Sequence, residues 1–166
     1  KPSDLKENIA MDIVSIVLGE GKSSRMYQNL IEKQEEQLFN IVGSTQYEFR
    51  DGNIFLAQAN FAPDRKEEAV NLMKNEVFKM TESEISEEEF KKAKKKLKAS
   101  FAEESETVSE IGELIGHTMT IYGDINSHAN YLKVLEEISP KDVHETAKKY
   151  FAPEKISVSL LVPEKG

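Results

Sequence analysis

Histidines 117, 128 and 144 are the only imidazoles in the chain, and it has no cysteine. A helical zinc site needs two histidines at i,i+4, so that both rings reach one ion from one face. His117, His128 and His144 have no partner at that spacing, and His144-Glu145 lacks the rest of such a motif. No metal-ligating residue and no catalytic residue is therefore assigned to this chain. Gly21-Lys22-Ser23 has the tail of a phosphate loop, but the first glycine of that pattern would fall at Ile16. The segment before it also reads as helix rather than strand, so a phosphate cradle is not expected there. Three histidines and many serines leave room for a Ser–His–Asp arrangement, yet no G-x-S-x-G elbow is present. Glu103-Glu104-Ser105-Glu106 is dense in carboxylates without the alternating spacing of a calcium loop, and reads as a helix-junction cap.

The elements around these residues are organised by one corner, Leu18-Gly19-Glu20-Gly21-Lys22-Ser23-Ser24-Arg25-Met26-Tyr27-Gln28-Asn29-Leu30. An apolar run ends at Leu18. Gly19 and Gly21 can take the left-handed backbone that stops a helix. Ser23 or Ser24 can cap the next helix, in which Met26, Leu30 and Ile31 recur at helical spacing. Arg25 is expected to tie down helix-end carbonyls and Tyr27 to pack on the corner. Before the corner, residues 3–18 read as a helix capped by Ser3 or Asp4, with Glu7 closing a capping box with Asp4. Its apolar residues cover so much of its circumference that it should be buried. The second helix runs from about Ser24 to Gln34.

Residues 38–49 read as a strand with Phe39, Ile41, Gly43 and Thr45 on one face and Leu38, Asn40, Val42 and Ser44 on the other. Asp51-Gly52 turns into a second strand whose Phe55, Ala57, Ala59 and Phe61 face the core. Helices follow at about 63–80, with a stripe of Val70, Met73, Val77 and Met80, and from Glu87 behind a Ser86/Glu89 capping box. The lysine run from Lys91 to Lys98 reads as a solvated face, with Glu87 and Glu88 able to pair with Lys91 and Lys92. Helices at about 108–122, 127–137 and 139–151 complete the set, the last opened by Ser139-Pro140. Ile156, Val158, Leu160 and Val162 alternate as a final strand. The fold class is α+β, an antiparallel sheet packed against several helices.

At 166 residues the chain can bury one core, and 31% charged with 39% hydrophobic residues fits a globular surface. A net charge of −8 argues against a nucleic-acid partner. No apolar run reaches the length of a membrane span, so no membrane partner is expected. Without cysteine and without a secretory leader at its start, the chain is expected to be cytoplasmic.

The corner pattern L-G-x-G-x-S-S-R-[LM]-Y-x-x-L resembles a motif of the pitrilysin–insulinase family of zinc metallopeptidases, in the branch of the mitochondrial processing peptidase. EISEEEFKKAKKKLKASF (84–101) and EISPKDVHETAKKYFAPEKISVSLLVP (137–163) follow in the family's order, so the resemblance covers nearly the whole chain. Catalytic members carry H-x-x-E-H, which is absent here. Some members place an L-R-x(6)-Y pair in the active site; aligned on Leu30, those positions are Ile31 and Leu38. The resemblance implies residues 1–166 are a single, catalytically silent, C-terminal-type domain, excised without its first strand. It implies a zinc-bearing sister domain or subunit as partner, zinc held there and no cofactor here, and a role as the wall of a peptide-substrate chamber. The alternative that the resemblance implies for this chain is a non-peptidase scaffold or interaction subunit sharing the fold, as in respiratory-complex core proteins. A sheet edge left open by the missing strand, with Leu38, Val42 and Leu56 on the uncovered face, is expected to dock a partner or a second copy.

Overall fold

The computed structural model describes residues 4–103 and 107–161. Ser3, the carboxylates at 104–106 and Val162 lie outside the described residues. Helix α1 (Leu5–Gly19) is the central element, with Ile9, Ile13, Val14 and Leu18 fully buried. Asp4 caps it by accepting from the backbone N–H groups of Lys6 and Glu7. The expected capping box does not close. The Glu7 carboxylate is turned instead to the C-terminal turn of α7 (Pro140–Tyr150), accepting from Lys149 and, at 2.8 Å, from the Tyr150 hydroxyl. Lys149 holds the Glu7 carboxyl below its ordinary range.

Past the corner, α2 (Arg25–Tyr27) runs directly into a π-helical turn, Gln28–Glu32. The hairpin follows: β1 (Phe39–Phe49) pairs antiparallel with β2 (Gly52–Phe61) through the turn at Asp51-Gly52. Phe55, Ala57, Ala59 and Phe61 pack on the core, as the alternation requires. Strand β1 departs from its simple alternation. Phe39 pairs with Phe61, but Val42 pairs with Ala59 and Ser44 with Ala57. The register shifts between Phe39 and Ile41, because one extra residue is accommodated there. Directly paired residues share a face, so Phe39, Val42 and Ser44 face the helices and Ile41 and Tyr47 face away. Val42 is thus on the covered side, and Leu38 is buried at 4% exposure; neither lies on the open face expected for them. Leu56 does.

A 3-10 turn at Pro63–Arg65 leads into α3 (Lys66–Lys79), which turns Ala69 and Val77 inward, with Met80 just beyond its end. Helix α4 (Glu87–Glu103) starts behind the Ser86/Glu89 box, the Ser86 N–H and hydroxyl each 2.9 Å from the Glu89 carboxylate. Helices α5 (Val108–Ile121), α6 (Asn126–Glu137) and α7 follow, α5 and α7 opening with reciprocal capping boxes at Thr107/Glu110 and Ser139/Asp142. No helix among the described residues is long and apolar enough to cross a membrane.

The chain's end differs from its reading as a strand. Among the described residues the sheet has two strands, and 156–161 pair with neither. The segment leaves α7 extended at Ile156, and its Val158 and Leu160 are largely exposed. Alternating side chains define two faces, but a strand also needs a neighbour for its N–H and C=O groups.

Helix α1 meets β1 at van der Waals limits. A Cβ on Gly19 would lie 2.2 Å from the Ser44 backbone nitrogen. Gly19 is therefore required for close approach, not for a left-handed turn: it is the last helical residue, and Gly21, at φ +80°, makes the turn. Gly19→Ala is expected to cost about 1–3 kcal/mol through overpacking against backbone that cannot yield. Gly21→Ala, with open space around its Cβ, pays only for its backbone conformation, on the order of 1 kcal/mol. Chemical denaturation of both variants checks this; a Gly19→Ala protein as stable as wild type would refute the packing account.

Candidate functional site

The corner is built from polar groups that the fold brings in from distant positions. Ser24 caps α2, donating its hydroxyl to the Gly21 carbonyl at 2.7 Å and accepting from the Tyr27 N–H at 3.4 Å. Ser23 points outward and accepts from the Lys92 ammonium of α4. Tyr27 is half-buried beside them. Arg25 does not tie down helix-end carbonyls. Its guanidinium forks onto the Glu89 carboxylate, Nε to Oε1 at 2.7 Å and Nη2 to Oε2 at 2.9 Å, with a third nitrogen 3.5 Å from the Met80 sulfur. Planar bidentate pairs of this kind are strong and directional. Glu89 thus caps α4 and anchors α2 at once, and Arg25, its hydrogen bonds foremost, holds the Glu89 carboxyl down to about 2. Next to it, the buried Glu76 carboxylate of α3 accepts from Asn29 at 2.9 Å and Lys79 at 2.5 Å. All of these residues stitch helices together; none of them converges on an open cleft.

A second polar group lies where α1, the end of α5 and the hairpin meet. The Asn53 amide donates to Asn8 Oδ1 at 2.8 Å, the Asn8 amide donates to the Tyr122 hydroxyl at 3.0 Å, and Tyr122 donates to Glu48 at 2.8 Å. Burial, reinforced by the Glu48 charge, pushes the Tyr122 phenol well above its ordinary value. Tyr122 therefore stays a neutral donor, fixing the tip of the hairpin on the helices. These contacts join residues far apart in sequence, and no spacing rule points to them.

The histidines are separate. His117 is exposed on α5, His128 stacks on Phe101 with centroids 4.5 Å apart, and His144 Nε2 lies 3.0 Å from the Thr81 carbonyl. Among the described residues no three His, Asp or Glu side chains are grouped so as to hold a metal ion.

What the architecture leaves open is the outer face of the hairpin. Ile41 (63% exposed), Ile54 (57%), Tyr47, Phe49 and Leu56 project from it, with Tyr47 opposite Ile54 in the register. An apolar sheet face beside unpaired strand edges is a surface that accepts extended peptide. Of the residues expected at an interface, Leu56 alone belongs to it.

With this geometry in hand, relatives place the chain. The profile described as peptidase M16 inactive domain matches residues 1–97. The chain belongs to that family, which accords with the pitrilysin–insulinase resemblance of the corner motif. It is 31% identical over 140 residues to a zinc protease of Rickettsia felis described as uncharacterized, covering 84% of this chain and 33% of the relative. It is 29% identical over 161 residues to the zinc protease PqqE of Helicobacter pylori, covering 95% and 35%. The crystal structure of a protease from Helicobacter pylori superposes with a TM-score of 0.81 at 25% identity, over 92% of this chain and 37% of that one. The chain spans about a third of the length of the curated relatives it matches.

The Arg25–Glu89 fork has a pH signature. Glu89 falls from an ordinary 4.5 to about 2 in the fold, so its contribution is complete above about 4.5 and is lost as the pH drops toward 2. Glu89→Gln keeps the capping hydrogen bonds but removes the charge, and is expected to cost on the order of 2 kcal/mol at neutral pH after allowance for solvent screening. Its melting temperature should fall less steeply than wild type between pH 4.5 and 2. Parallel acid limbs in the two proteins would remove the fork from the account.

Proposed function

We propose that this chain is the catalytically silent domain of a zinc peptidase, forming the wall of the substrate chamber opposite a zinc-bearing sister domain and helping to hold the peptide. The observation that carries this reading is the two-sided hairpin. Its inner face is spent on the helices, while Ile41, Tyr47, Ile54 and Leu56 remain free on the other side. The family description, inactive domain, supports the division of labour, as does a chain one third the length of relatives called zinc proteases. Zinc, and the water it activates, would belong to the sister domain. The present chain would contribute substrate contacts through its apolar face and open strand edges.

The test compares the zinc-bearing half with and without this chain on a fluorogenic peptide. Hydrolysis is expected only when both are present, and none from this chain alone. Ile54→Lys together with Tyr47→Lys should raise KM several-fold while leaving kcat within about twofold, since the lost contacts bind substrate without touching the reacting atoms. Equal rates with and without this chain would overturn the proposal.

A further inference from the structure

The lysines of α4 fall into two rows. Lys92 and Lys96 face the corner, Lys92 donating to Ser23 and Lys96 pairing with Glu20 at 2.5 Å. Lys91, Lys94, Lys95 and Lys98 stand at i, i+3, i+4 and i+7, the spacing of one helical face. That second row borders a groove of about 410 Å³, closed on the far side by Glu136 of α6. Lysine stems line the groove, and Phe90 lies buried beneath them, with the Lys94 ammonium 5.4 Å from the ring centroid.

The charges in this groove are unequal. Glu136 accepts from Lys94 at 3.0 Å and also binds Lys98. Its carboxyl is held down to about 2, chiefly by the hydrogen bonds from those two lysines, and so remains an anion. Among the described residues Lys91 and Lys95 are in no ion pair, and both are exposed. Four lysines against Glu87 and Glu136 leave a local surplus of two positive charges in a chain whose net charge is −8.

We propose that this groove docks an acidic peptide segment of a partner protein, one that alternates carboxylate and apolar side chains. Carboxylates one helical turn apart, or two residues apart on an extended strand, reach Lys91 and Lys95. An apolar neighbour settles on the lysine stems, which are themselves hydrocarbon. A nucleic acid fits less well. Phe90 is covered by Lys94, leaving no aromatic face on which a base could stack. The groove lies on the helical layer and involves neither hairpin face, so the inference stands apart from the peptidase reading.

The experiment uses the 166-residue chain and a fluorescein-labelled peptide of alternating glutamate and leucine, followed by anisotropy at physiological salt. Saturable binding is expected, weakened about tenfold in Lys91→Glu/Lys95→Glu and weakened by added salt. The charge-matched control Lys66→Glu/Lys74→Glu on α3 should bind as wild type does. If the double reversal does not fold, Lys91→Gln/Lys95→Gln carries the same comparison. Absence of saturable binding, equal losses in the α3 control, or displacement of the peptide by an equal charge of inorganic polyphosphate at lower concentration would each overturn the proposal.

Discussion

The rest of the structure depends on how closely α1 can lie against β1. The contact is backbone to backbone, made possible by Gly19, and is locked by two reciprocal hydrogen bonds. The Ser15 hydroxyl donates to the Ser44 carbonyl and the Ser44 hydroxyl donates to the Ser15 carbonyl, each at 3.0 Å. Once α1 is seated this way, its buried stripe fixes where α7, α4 and α6 must pack. The corner after Gly19 then has a determined direction, and Arg25 has a determined place from which to reach Glu89. A side chain at position 19 would lift the helix from the strand and misalign everything that refers to it.

Charge does the remaining alignment. The acidic residues that seemed scattered along the chain are used one by one across element boundaries: Glu7 to α7, Glu20 and Glu136 to α4, Glu89 to α2, Asp142 to Lys6 at 2.7 Å. The exposed pairs each contribute little. The half-buried fork at Arg25 is different, because both partners are shielded and doubly hydrogen-bonded. On α4, carboxylates from neighbouring elements pair with Lys94, Lys96 and Lys98.

Patterns confined to neighbouring residues were legible in the amino-acid order. The apolar stripe of α1, the capping box at Ser86/Glu89, the Asp51-Gly52 turn and the inward face of Phe55 to Phe61 all depend on local spacing, and all are found. The misreadings have one source, which is that a pattern does not reveal a partner. Glu7 was free to cap its own helix until Lys149 offered a stronger bond. Gly19 looked like a helix breaker because the strand it touches is some 25 residues later in the sequence. In β1 a single extra residue near Asn40 reverses the phase, and no composition cue marks it, so Val42 changed faces; Leu38 precedes the strand and is buried outside its alternation. The open face of the hairpin was therefore anticipated in kind, but of its expected members only Leu56 belongs to it.

The Ser15–Ser44 exchange also bears on how the molecule comes apart. Two elements that lend each other hydroxyl groups across a close backbone contact open together, since releasing either breaks both hydrogen bonds at once. Helix α1, the corner and the hairpin are consecutive from Leu5 to Phe61, so the unit they form closes through short loops. Amide protons within it would be the last to exchange with solvent, and its contacts, being near in sequence, are suited to forming early. On this view the first third of the chain is a cooperative nucleus to which the later helices are added, and the hairpin strands belong to the most rigid part of the domain rather than to a flexible rim.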